Sequence, residues 1–150
     1  MICEDKIRGD LKEALKQHNE VRVSTLRLLL SNIKNAEIAQ QQQPLDESKI
    51  LDVVVKEVNR HRESIEAFKQ GNRNDLVAQE EAELSILMEY LPKQMTREEI
   101  MAAAQQVIQA VGAKGISDKG KVMSQLMPQL KGKASGREIS DVVSELIASL

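Results

Sequence analysis

The strongest constraint on this chain is an apolar pattern at helical spacing, interrupted repeatedly by helix start and stop signals. Ile50, Val54, Val58, His61, Ile65 and Phe68 recur three or four residues apart, behind a capping Asp46 and ahead of Gly71. Any interior these stripes build must do without rings. Phe68 and Tyr90 are the only aromatic residues among 150, and Trp is absent. A core of Leu, Ile, Val, Met and Ala suits helices, whereas the aromatic residues and Thr that favour strands are scarce. The chain is expected to be all-α. The same scarcity argues against reading unstacked bases by ring stacking, so any nucleic-acid binding should read shape and phosphate.

The punctuation predicts seven helices. The first runs roughly from Glu4 to Gln17, and His18-Asn19-Glu20 makes a short connection. The second, from about Glu20 to Ala39, carries Val23, Leu26, Leu30 and Ile33 and ends in the polar loop Gln40 to Gln43 before Pro44. The third follows Asp46. Asn74 can cap the fourth, with Leu76, Leu84, Leu87 and Leu91 on one face before Pro92 ends it. A fresh start follows: Thr96-Arg97-Glu98-Glu99 is a capping-box pattern, leading to Ile100, Ala104, Val107 and Val111, with Gly112 as the stop. Ser117 or Asp118 can cap the sixth helix, which Pro128 should kink or end early. Ser135-Gly136-Arg137-Glu138 opens the last, running to Leu150. This pattern implies an N-terminal four-helix bundle over residues 1–92 and a small three-helix domain over 93–150. The segment from Leu91 to Thr96 between them is expected to be readily cleaved by proteases.

Charge is polarised along the chain. Asp75 to Ile100 holds seven acidic and two basic residues, whereas Met101 to Arg137 holds six basic and one acidic. Charged helix faces are ordinary, and it is the reversal between neighbouring segments that singles out the basic block. With one cysteine, Cys3, no intrachain disulfide is possible, and no Cys/His spacing resembles a zinc site. The sequence has no apolar signal region at its start and no stretch of about 18 apolar residues. A reducing, cytoplasmic setting without membrane contact is expected.

Residues that carry chemistry are few. Gly115-Ile116-Ser117-Asp118-Lys119-Gly120-Lys121-Val122 nearly matches a phosphate-binding loop. It fails because Val122 replaces the Mg²⁺-coordinating hydroxyl and the preceding residues end a helix rather than a strand. His61 lies on an apolar stripe with no Asp or Glu at recognisable ligand spacing, and reads as a buried, hydrogen-bonded core histidine. Glu80 is carried towards the interior by the Leu76-to-Leu84 stripe and is expected to form an interhelical ion pair with Arg27 or Arg62. No nucleophile, metal ligand set, cofactor site or paired carboxylates accompany it, so no catalytic residue is assigned. Basic residues at helix ends and turns suit a phosphate backbone. Lys119, Lys121, Lys131, Lys133 and Arg137 are the expected contacts, with Gly120, Gly132 and Gly136 letting backbone approach the ligand. Met123 and Met127 are expected in the core.

The run Leu26-Arg27-Leu28-Leu29-Leu30-Ser31-Asn32-Ile33-Lys34-Asn35-Ala36-Glu37 carries a family resemblance when joined to three later segments. These are Arg62-Glu63-Ser64-Ile65-Glu66-Ala67-Phe68, then Glu80 with Glu83-Leu84 and Tyr90-Leu91-Pro92, and finally Gly120-Lys121-Val122-Met123 with Lys131-Gly132-Lys133-Ala134. Together they resemble the YqeY family of small bacterial proteins over essentially the whole chain. That family is similar to the C-terminal tail of GatB, a subunit of the aspartyl/glutamyl-tRNA amidotransferase, a carbon–nitrogen ligase with glutamine as amide donor. The resemblance implies two all-helical domains and contact with tRNA, without the domains that perform amide transfer. Three readings follow: a tRNA- or RNA-binding accessory protein without catalysis of its own, a protein-interaction adaptor for the translation or amidotransferase machinery, and an amidotransferase-related component.

Overall fold

The computed structural model describes residues 2–150 and is all-α: seven α-helices, one 3₁₀ turn and no strand among the described residues. It divides into two compact units, Met1–Leu91 and Pro92–Leu150.

The first unit contains α1 (Glu4–Lys16), α2 (Glu20–Ala39), α3 (Glu47–Gln70) and α4 (Asn74–Met88). Glu4 and Asp5 complement the N-terminal dipole of α1. Asn19 accepts the Arg22 N–H at 3.1 Å to start α2, and Asp46 accepts that of Lys49 at 2.9 Å to start α3. The polar run after α2 is a loop, in which Gln41 and Gln42 both adopt φ of 62°. The α3 stripe buries Ile50, Val54, Val58, His61 and Ile65, while Phe68 stays half-buried. On α4 the expected register is off. Arg73, not Asn74, occupies the cap position and makes no cap bond with its side chain, and the buried residues are Val77, Ile86 and Leu87. Leu76, Leu84 and Leu91 are half-buried because the packed face is turned towards Val77, which leaves the Leu76–Glu80–Leu84 row at its edge. Ile7, Leu26, Leu29, Ile33, Val54, Val58 and Leu87 are at most 1% exposed. Each such side chain is worth about 1.5–3 kcal/mol of burial.

In the second unit Thr96 and Glu99 form both halves of the capping box at the start of α5 (Arg97–Val111). Gly112 ends that helix at φ 67°, a left-handed turn that an L side chain adopts only with strain. A 3₁₀ turn at Ile116–Asp118 leads into α6 (Lys119–Gln129), which stops one residue after Pro128. The Ser135 hydroxyl accepts the Glu138 N–H at 3.2 Å and starts α7 (Gly136–Ala148). All three helices touch one another around a shared core that includes Ile100, Ala104, Val122, Leu126, Ile139 and Val143. Two residues of the segment from Leu91 to Thr96 are hydrogen-bonded to the turn that follows α6. Gln94 donates to the Gly132 carbonyl at 2.7 Å and the Met95 N–H to the Lys133 carbonyl at 2.9 Å, and both residues are half-buried. Along the whole described chain no helix is long and apolar enough to cross a membrane.

Candidate functional site

The basic residues singled out in the sequence fall into three structural situations. Lys121 on α6 and Lys133 in the turn between α6 and α7 are exposed, and Arg137, the second residue of α7, is also exposed. Lys131 is half-buried, and both it and Arg137 already have interactions within the protein. Lys119 opens α6 but its ammonium donates to the Ser140 hydroxyl on α7 at 2.9 Å, which makes it a cross-link between helices. The glycines differ in the same way. At Gly120 a side chain would meet nothing within 4 Å, so the surface there is open to a ligand. Gly132 is buried with φ of 76° and serves the turn that receives Gln94. A Cβ at Gly136 would come within 3.4 Å of the Met127 methyl, so close helix packing accounts for it. Beside Lys121, the Asp118 carboxylate accepts the Lys114 N–H at 2.9 Å. That bond, with help from the Lys121 charge, holds the Asp118 carboxyl below the usual carboxylate range.

A second constellation lies between α3 and α4. Glu80 is half-buried, but its partner is neither Arg27 nor Arg62. Its Oε2 lies 2.5 Å from Nδ1 of His61. Arg27 is exposed on α2, beside Leu15, His18 and Val23, and Arg62 turns its Nη2 towards the Met88 sulfur at 3.7 Å. The reason is rotational. His61 sits on the α3 stripe that faces α4, whereas Arg62, about 100° further round the helix, meets α4 at its last residue, Met88, about two turns beyond Glu80. His61 is indeed a buried, hydrogen-bonded histidine, at 7% exposure. Its acidic neighbours were invisible in the sequence because Glu80 and Glu83 reach it only when α4 folds back on α3. Glu83 Oε2 is 3.7 Å from the same ring nitrogen, and the ligating atoms of all three residues lie within 4.8 Å of one another. One turn earlier on α3, Glu57 is 3% exposed and accepts the Asn32 amide of α2 at 2.5 Å, with Arg60 at 3.3 Å.

A third polar cluster joins the end of the first unit to its beginning. The Tyr90 hydroxyl donates to Asp10 at 2.5 Å, and the Lys6 ammonium lies 4.8 Å from the ring centre. Arg22 and Glu89 pair at 2.8 Å beside it, and together these residues line an open cavity of about 410 Å³. Burial drives the Tyr90 phenol far above its ordinary range, and the hydrogen bond and negative charge of Asp10 push it the same way.

The family model for Yqey-like proteins matches residues 4–147. The chain belongs to the YqeY family. Its curated relatives include "Altered inheritance of mitochondria protein 41, mitochondrial" of Lachancea thermotolerans, 42% identical over 85 residues, which are 57% of this chain and 46% of that protein. The proteins of the same name from Eremothecium gossypii and Saccharomyces cerevisiae are 36% identical over equal shares. The matched region spans about half the length of these relatives. Their names place them in mitochondria, and this overturns the cytoplasmic expectation. A single cysteine can form no intrachain disulfide in any compartment, so the cysteine count could not carry that assignment.

Proposed function

We propose that this YqeY-family chain is an accessory protein that binds the phosphate backbone of structured RNA, with tRNA the first candidate, and has no catalysis of its own. In this reading Pro92–Leu150 acts as a compact three-helix RNA-binding domain and Met1–Leu91 as the four-helix bundle that accompanies it. The observation that carries it is the charge reversal at about Ile100, with Lys121 and Lys133 exposed on a unit whose core is aliphatic. Cations on such a surface attract phosphate without selecting bases. The likeness to the GatB tail supports tRNA as the ligand, and the names of the relatives make the mitochondrion the first compartment in which to seek it.

The test is binding of unmodified tRNA across a salt series. Replacing Lys121 or Lys133 by Ala should weaken binding for every tRNA alike and make the logarithmic salt slope shallower by roughly one unit or slightly less per charge. Absence of tRNA binding at low salt, or a slope untouched by both replacements, would remove the proposal. Glutamine- and ATP-dependent amidation of misacylated tRNA by the pure chain would instead establish an amidotransferase-related role. A second reading, an adaptor, is favoured by the exposed Leu15, Val21, Leu28 and Ile38 on α1 and α2. An adaptor would keep its protein partner when Lys121 and Lys133 are neutralised and lose it when Val21 and Leu28 are made polar.

A further inference from the structure

We infer that His61, Glu80 and Glu83 form a binding site for one divalent transition-metal ion that clamps α3 to α4. The three groups come from two helices and converge by construction of the fold. Glu80 and Glu83 stand three residues apart on α4, so they share a face, and His61 meets them from the middle of α3. The donor set is one imidazole and two carboxylates, a mixture that the borderline ion Zn²⁺ accepts and that the harder Mn²⁺ also takes.

Two independent features distinguish this cluster from an ordinary ion pair. The first is charge. Among the ion pairs of the described residues, Glu80 and Glu83 face His61 and no lysine or arginine, although their side chains are only 21% and 18% exposed. The guanidinium of Arg60, one residue before His61, is paired with Glu57 at 3.3 Å. Two carboxylates thus share a half-buried site with a single imidazole and no other cation among these pairs. Such a deficit is costly when half-buried. A divalent ion neutralises it.

The second feature is distance. A tetrahedral ion with bonds of about 2.0–2.2 Å holds its ligand atoms roughly 3.3–3.6 Å apart. The 3.7 Å between His61 Nδ1 and Glu83 Oε2 is already close to that spacing, the 2.5 Å contact to Glu80 must open by about 1 Å, within reach of a carboxylate rotation, and all three ligand atoms lie within 4.8 Å of one another. Glu83 Oε1 is held by the Gln79 amide at 3.4 Å, which orients the carboxylate from outside the cluster. Three protein ligands leave a fourth position open to water.

The experiment uses the full chain, free of any histidine tag and stripped of metal, dialysed to equilibrium against Zn²⁺ and, separately, Mn²⁺. One ion per chain should be retained at micromolar free Zn²⁺ or Mn²⁺, and saturation should raise the thermal midpoint, since the ion binds only the folded pair of helices. Glu83→Gln, which keeps the shape of a half-exposed side chain, should weaken binding at least tenfold, and Glu80→Gln likewise. His18→Ala, at the only other histidine, should change nothing. Co²⁺ bound in place of Zn²⁺ should give a visible absorption band that Glu83→Gln alters. Binding of equal strength in Glu83→Gln and Glu80→Gln would assign the ion to surface carboxylates and overturn the inference. So would failure of the chain, with native helical content, to retain either ion at micromolar concentration.

Discussion

The two units reach compactness by different means. Every polar or charged side chain that is buried among the described residues, Thr25, Glu37, Glu57 and His61, lies in Met1–Leu91, whereas the buried side chains of Pro92–Leu150 are aliphatic throughout. The difference matters because hydrophobic burial is non-directional, while a buried carboxylate tolerates only one arrangement of donors around it. The first unit therefore turns its chemistry inward, into His61–Glu80–Glu83 and Asn32–Glu57. The second leaves Lys121 and Lys133 on its surface, where a ligand can meet them.

The sharpest way to break this contrast is in the aliphatic core. Leu126→Ala removes a fully buried side chain from α6 and should cost about 2–5 kcal/mol in urea unfolding. A much smaller loss would mean that the core of the second unit collapses onto the gap. Next comes Glu80→Gln in metal-free protein, expected to cost on the order of 1–3 kcal/mol because it weakens the bond to a buried ring. An unchanged melt would show that His61 is satisfied without it and that the inward chemistry of the first unit is not structural.

Two smaller effects separate the units by pH. The folded state holds the Tyr90 proton more tightly than the unfolded chain does, so its contribution is complete below the unfolded phenol value near 10 and is lost as pH rises above it. Tyr90→Phe should flatten that alkaline decline in a stability profile and cost about 0.5–1.5 kcal/mol at neutral pH for the lost bond to Asp10. Asp118 works in the opposite direction. Its lowered carboxyl stabilises the folded state above the ordinary carboxylate range, and that help disappears as pH falls through the folded value. Asp118→Asn should remove only a slight acid-side slope, measurable by the same titration. An acid limb unchanged by Asp118→Asn would mean that the Lys114 cap contributes nothing to folding.

Local signals made the helix boundaries readable, because a cap is a contact between residues three apart. Asp46, Thr96, Ser135 and Gly112 act where the pattern places them. What failed needed knowledge of helix rotation. Which face of α4 is packed, and hence that Glu80 meets His61 rather than an arginine, depends on how α4 lies on α3, and nothing within four residues of either reports it. The same is true of Lys119, a surface cation by composition that Ser140, 21 residues later, recruits as a strut. Exposed Lys121 and Lys133 were legible because a lysine off the apolar stripe needs no partner to stay solvated.

The placement of the two short polar contacts on α3 has a mechanical meaning. Glu57 engages α2 through Asn32, and one turn further on His61 engages α4 through Glu80. Apolar stripes alone would let α3 slip along its neighbours by a turn of about 5.4 Å and still find aliphatic partners. Slippage here would strand two carboxylates and a ring at once, against different helices. The α3 helix is thereby keyed like a bolt with two teeth, and its vernier position is set by polar atoms rather than by the grease of the core.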